Sequence, residues 1–168
     1  MTIADLPVDA FARVHESVHE VLDNLTEEDL SFREDSGANS IAWLVWHLSR
    51  VQDDHVADVA QIGQVWKSSG WAERFKLPLE DADTGYGHDA DQVAAVKADA
   101  QTLRGYHDSV DEMTLGFVGG LAEADLDRIV DERWDPPVTL GVRLVSVISD
   151  CLQHTGQAAY IRGILERR

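Results

Sequence analysis

Four stretches of this chain repeat their apolar residues every three to four positions, and the Gly, Pro and Asp/Ser clusters fall in the gaps between them. Such a period buries its apolar stripe only against another helix face, so the pattern restricts the fold to helix packed on helix. The expected class is all-α, a four-helix bundle. The first helix is expected over residues 7–24, with Pro7 in its first turn and Phe11, Val14, Val18, Val21 and Leu25 as its core stripe. After the loop TEEDLSFREDSGANS, Asn39 or Ser40 is placed to cap a second helix over 41–63. Residues 65–89 carry glycines, a proline and acidic turns without a long period, and are expected to form an extended connection whose role, lid or contact surface, stays open. A third helix is expected over 90–119, with Val93, Val96, Leu103, Tyr106, Val110 and Met113 inward and Gly119-Gly120 ending it. A short segment follows, in which Pro136-Pro137 forces extended backbone, and leads to a fourth helix over 139–166.

The 168 residues fit one domain, 1–168, large enough to bury a core without disulfide or metal staples. Against 14 Lys and Arg stand 31 Asp and Glu, a formal charge of −17 that repels nucleic acid and anionic membrane surfaces at long range. No run approaches the roughly 18 apolar residues of a membrane span, and MTIADLPVDAFARVHE lacks the basic and apolar regions of a signal peptide. A cytoplasmic location is expected. The single cysteine, Cys151, excludes an internal disulfide and suits a reducing compartment.

The chemistry lies on the second and fourth helices. Arg143, Asp150, His154 and Gln157 are seven, four and three residues apart, so at about 100° per residue they share nearly one face. Asp150 and His154 form D-x-x-x-H, neighbours on one helical turn that can grip one cation together, as in helical zinc sites. The third ligand must come from another helix. His47, alone among Trp43, Leu44, Val45, Trp46 and Leu48, is the candidate. Singly, each feature has an ordinary explanation: a solvated contact for the pair, a satisfied core histidine for His47. Together they point to a site. Asp54, seven residues after His47, reads either as an acceptor fixing its tautomer or as part of a solvated run with Asp53.

The remaining candidates read as structural. His15 and His19 are a second i, i+4 pair, but they flank the core stripe and read equally as water-facing, whereas His55, His88 and His107 are expected at the surface. Cys151, rotated about 100° from Asp150, reads as a small buried residue with an inert thiol. The tryptophans at 43, 46, 66, 71 and 134 are expected to build the core and pocket wall, with Trp134 near the mouth.

The segments IAWLVWHLSRVQDDHVAD, ERWDPPVTLGVRLVSVISD and CLQHTGQAAYIRGIL resemble, in order and spacing, the DinB-like metal-binding four-helix bundles, and within them the mycothiol-dependent S-transferases of actinobacteria. The resemblance spans nearly the whole chain. It implies one metal-binding histidine on the second helix and two ligands four residues apart on the last, which map onto His47, Asp150 and His154. Many relatives carry histidine or glutamate where this chain has Asp150, a shorter ligand, so a bound metal is expected closer to the fourth helix. The resemblance also implies a homodimer, nonstandard helix connectivity, zinc as the metal, mycothiol as co-substrate and a detoxifying role.

Three protein ligands leave one coordination position open, as catalytic zinc sites do. The expected activity is conjugation of the mycothiol thiolate to an electrophilic small molecule, with no protein nucleophile. Gln157 and Tyr160 are candidates to hydrogen-bond the site, and Arg50 and Arg143 to hold the polar groups of the thiol. Two other readings stand beside this one. A thiol-dependent cis/trans isomerase of maleylpyruvate type uses the same metal and thiol, and a non-catalytic metal-binding dimerisation module uses neither thiol nor electrophile.

Overall fold

Short polar side chains set the helix boundaries. The computed structural model describes residues 2–168, in the order α1 (Asp5–Leu22), α2 (Glu27–Ser31), α3 (Ile41–Ala60), α4 (Val65–Ser68), α5 (Trp71–Phe75), α6 (Ala90–Ala95) and α7 (Ala100–Val118). A 3-10 turn (Glu123–Asp127), two short strands, β1 (Ile129–Asp131) and β2 (Val138–Thr139), and the last helix, α8 (Leu140–Leu165), complete the chain. Ser40 Oγ accepts from Trp43 N–H at the start of α3, Asp99 from Thr102 N–H at α7 and Thr139 from Val142 N–H at α8. Each satisfies an amide that the first turn leaves without an intrahelical partner. The chain is all-α apart from this two-stranded hairpin, and no helix of the described residues is long and apolar enough to cross a membrane.

The four long helices form a ring. α3 packs against α7 and α8, and α1 packs against the same two, so α1 and α3 occupy opposite corners. Phe11, Val14, Val18 and Val21 bury the predicted stripe of α1, while Leu25 lies past the helix end and is half-buried. α3 is buried continuously from Ile41 to Arg50. A helix covered on all sides carries any polar side chain into the interior, and that is how His47, Ser49, Arg50 and Asp53 come to be buried.

The third predicted helix is interrupted. α6 stops at Ala95, Val96 is extended and 1% exposed, and α7 begins after Asp99. Asp99 supplies the reason: its carboxylate is worth more capping a new helix than exposed in the middle of an old one. The connection between α3 and α6 contains two short helices, α4 and α5, which lay Trp66, Trp71 and Phe75 against Tyr106 of α7.

A closed polar network ties this connection to α3. Arg50 is fully buried and donates to the carbonyls of Asp83 (3.1 Å) and Asp81 (3.4 Å), to Gln64 Oε1 (3.0 Å) and to the Tyr106 hydroxyl (3.3 Å). Asp53 lies 3.6 Å from the guanidinium and accepts from the N–H groups of Val65 and Trp66 and from Tyr106 O–H, at 2.8 to 2.9 Å. Ion pairing and hydrogen bonds offset the cost of burying two charges only when nearly every donor and acceptor is matched, as here. Burial pushes the Tyr106 phenol well above its ordinary pKa, so it stays a donor.

Candidate metal centre

The seam between α3 and α8 brings His47, Asp150 and His154 together, each presenting one ligand atom within 4.8 Å of the others. The two rings meet edge to face at 4.6 Å, and the Trp43 indole stacks on His47 at 4.6 Å. His47 is 5% exposed; His154 and Asp150 are half-buried.

The hydrogen bonds decide which nitrogen each ring offers. His47 Nδ1 contacts the carbonyl oxygen of Thr84, and His154 Nδ1 lies 2.8 Å from the carbonyl oxygen of Asp150. A carbonyl only accepts, so both Nδ1 atoms carry the proton and the Nε2 lone pair of each neutral ring is bare. Backbone carbonyls here play the orienting part that outer partners play for metal-bound histidines. Asp150 Oδ2 is buried without a hydrogen-bond partner; it lies 3.3 Å from His154 Nδ1, whose proton is already given to the carbonyl. Burial holds the His47 pKa below the ordinary imidazole value, which keeps it neutral. For His154, burial pulls the same way, but the Asp150 carboxylate and carbonyl outweigh it and the net direction is upward.

The connection expected to be extended builds the back of this site. The Thr84 carbonyl reaches His47 because Gly85 takes φ +90 against the rings; a Cβ there would sit 2.7 Å from His47 Nδ1 and 3.0 Å from Trp46. Trp43 Nε1–H donates to His88 Nδ1 at 3.0 Å, so His88 Nε2 carries its proton and donates to Asp83 at 2.9 Å. Asp83 also accepts from Gly85 N–H. The His88 side chain is thus buried against Trp43 and Trp46 and does not face water. The only sequence signal of this arrangement was the glycine-rich TGYGHD, which reads first as turns.

A cavity of about 520 Å³ opens beside the cluster. His47 and Asp150 line it; Val51, Val138, Val142 and Val147 form an apolar wall, and Trp134 and Tyr86, 66% and 93% exposed, stand on its rim. Arg143 lines it and contacts His55 Nδ1 at 2.8 Å and Asp131 at 3.1 Å. The hairpin positions Asp131, which also holds Arg133. His55 is therefore a wall residue with a partner, not a water-facing histidine.

The other predicted residues are distributed differently. Asp54 lines the cavity but accepts from Gln64 Nε2 at 2.7 Å, and the Thr84 carbonyl orients His47 in its place. Arg50 is sealed in the closed network and does not reach the cavity. Gln157 and Tyr160 are exposed and line a separate groove with Glu34, Asn39 and Gln153. Cys151 is buried and lies 3.8 Å from the Leu48 carbonyl; burial pushes its thiol pKa far up, so it is inert.

The family model of the DinB superfamily matches residues 10–158, a span that contains all three clustered residues. The crystal structure of a conserved protein from Enterococcus faecalis is similar along the full length: 31% sequence identity and a TM-score of 0.93, covering 100% of this chain and 99% of that one. No curated protein matches the chain.

Proposed function

Because this chain belongs to the DinB superfamily, we propose that His47, Asp150 and His154 hold one divalent metal ion and that the protein is a metal-dependent thiol S-transferase, with mycothiol the co-substrate implied by the sequence resemblance. One observation carries the metal reading: two imidazoles from two helices, each with its Nδ1 proton directed at a backbone carbonyl, and a carboxylate with a buried oxygen that has no hydrogen-bond partner bring their ligand atoms within 4.8 Å of one another. Two nitrogens and one carboxylate oxygen suit zinc, and leave a position free. A cation of that type supplies Lewis acidity, lowering the pKa of a thiol that takes the free position so that it reacts as a thiolate near neutral pH.

The chain's own residues do the rest. The Thr84 and Asp150 carbonyls fix the two rings, so no rotamer search is needed on binding. The valine wall excludes water from the sulfur, and Tyr86 and Trp134 offer flat faces over which a small electrophile can lie. Arg133, exposed at the rim, and Arg143, deeper, carry the positive charge for the polar groups of the thiol in a chain of −17 overall. In the transfer, a C–S bond forms, the electrophile's leaving group departs with the bonding pair, and the thiol proton goes to solvent.

The test is elemental analysis of the purified protein beside His47→Ala and His154→Ala, followed by addition of mycothiol to the cobalt-substituted form. Loss of metal at this site in both variants and a thiolate-to-cobalt absorption band support the reading. A site that takes no metal with zinc added overturns it. In turnover with an electrophile, consumption of free thiol marks transfer, whereas its regeneration marks the isomerase.

A further inference from the structure

The bundle has a second cluster of metal-ligating side chains in the seam diagonally opposite the first. On α1, His15 and His19 stand one turn apart with ring centroids 4.3 Å from each other. Both Nε2 atoms converge on one oxygen of Asp108 on α7, at 2.8 Å and 2.6 Å. The three ligand atoms lie within 4.8 Å of one another. Because α1 packs on α7 while α3 packs on α8, this seam is on the far side of the ring from His47.

Ordinary hydrogen bonding explains only part of it. One carboxylate oxygen can accept from two imidazoles, but one turn further along α7 Asp111 is 8% exposed with its Oδ1 unpartnered, and the groups that act on it are His15, Asp108 and His19. His107, fully buried, stacks on His15 at 5.8 Å, bonds Ser49 through Nδ1 and leaves Nε2 without a partner. The ion pairs of Asp108 are with the two histidines alone, so two carboxylates face one seam with no Lys or Arg between them among the described residues. A buried, unmatched acceptor behind a converging His, His, Asp set is what a cation would satisfy. Around zinc, neighbouring ligand atoms sit about 3.3 Å apart, so the two nitrogen–oxygen spacings of 2.8 Å and 2.6 Å need to open by about 0.5–0.7 Å. The three ligands are a third to a half exposed, which leaves the ion a path from solvent.

We infer that the α1/α7 seam binds a second divalent cation of zinc type through His15, His19 and Asp108, with Asp111 supplying negative charge behind it. The ion cross-links α1 and α7. It is separate from the reaction proposed above and stands or falls independently of it.

The experiment is equilibrium dialysis of the chelator-stripped full chain against micromolar zinc, with metal counted by elemental analysis and folding checked by circular dichroism. Four proteins are compared: wild type, His47→Ala/His154→Ala, His15→Ala/His19→Ala, and the combination of all four changes. The expected result is about two ions per chain in wild type, about one in each double variant and none above background in the combination. In His47→Ala/His154→Ala, zinc should also raise the melting temperature, an effect absent after adding Asp108→Asn, which keeps the side-chain volume at a half-exposed position. The inference is overturned if folded His47→Ala/His154→Ala takes no zinc, or if what it takes survives both His15→Ala/His19→Ala and Asp108→Asn. Failure of the first site shows in different proteins, as zinc that wild type and His47→Ala/His154→Ala hold equally.

Discussion

Arg50 and His47 lie three residues apart on the same buried helix, yet one belongs to a closed network and the other to an open one. Around Arg50, carbonyls, an amide oxygen, a phenol and a carboxylate match nearly every N–H and lone pair. Around His47, the ligand groups of two histidines and a carboxylate lie close together and the Asp150 Oδ2 is left without a hydrogen-bond partner. Both regions are polar and anchored on the buried part of α3, although His154 and Asp150 are half-buried where Arg50 and Asp53 are sealed. Saturation differs: a saturated cluster has nothing left to bind with, and its energy goes into holding the fold, whereas the open one keeps the unmatched group on which the proposed metal site rests.

The comparison is broken most severely at Asp53. Asp53→Ala leaves the Arg50 guanidinium without its counter-charge and two amides and the Tyr106 hydroxyl without their acceptor in the interior, and should destabilise the protein by about 3–5 kcal/mol in urea denaturation. His154→Ala in metal-free protein should cost much less, because it removes a half-buried ring with one hydrogen bond, to the Asp150 carbonyl, and strips no buried charge of its partner. Equal losses in the two variants would mean that saturation does not separate the regions.

Next comes Gly85→Ala. It places a methyl group against His47 at a backbone φ of +90, and should lower zinc affinity roughly 10–100-fold by moving the Thr84 carbonyl off the ring. A competition titration against a chromophoric chelator reads this directly, and unchanged affinity would show that the carbonyl does not orient the ligand.

Arg50→Lys probes whether the closed region supports the open one. Lysine keeps the charge but loses the fork that holds the Asp81 and Asp83 carbonyls, the residues leading into Thr84. Stability should fall by about 2 kcal/mol, at roughly 1 kcal/mol per lost hydrogen bond. The rate of zinc release should rise severalfold, and a release rate equal to wild type would show the two regions to be independent.

The smallest effect is a pH slope. Burial, and then the charge of Arg143, hold the His55 pKa below its ordinary value. The unfolded chain takes up that proton near pH 6.5 (about the free value), while the folded chain resists until a lower pH. The stabilisation from neutral His55 is therefore complete above about pH 6.5 and is lost as pH falls toward the depressed value. Melting temperatures of chelated protein at about pH 7.5 and 5.5 should differ more for wild type than for His55→Gln, whose amide oxygen still accepts from Arg143.

How much of this was legible in the sequence follows from what kind of group carries each feature. Helix period and one-turn spacing are side-chain patterns, so the bundle and the meeting of His47 with Asp150 and His154 could be read directly. Gln157 failed because three residues leave it about 60° off the His154 direction, enough to turn it to solvent. The Thr84 carbonyl has no side-chain signature, and it reaches across 37 positions. His15 and His19 were visible as a pair, but their partner lies about ninety residues away, and no local rule connects them. The break before α7 was missed because an apolar period continued across Asp99, whose capping preference won.

The three clustered residues of the α3/α8 seam are far apart in the order of synthesis. His47 leaves the ribosome 107 residues before His154, a delay of roughly 5–20 s at ordinary elongation rates. During that interval the nascent chain has His47 but neither partner from α8, so it offers no more than a lone imidazole to passing ions. On the proposed reading, cation capture by this seam waits until the last helix has docked, so that loading would report on completion of the fold.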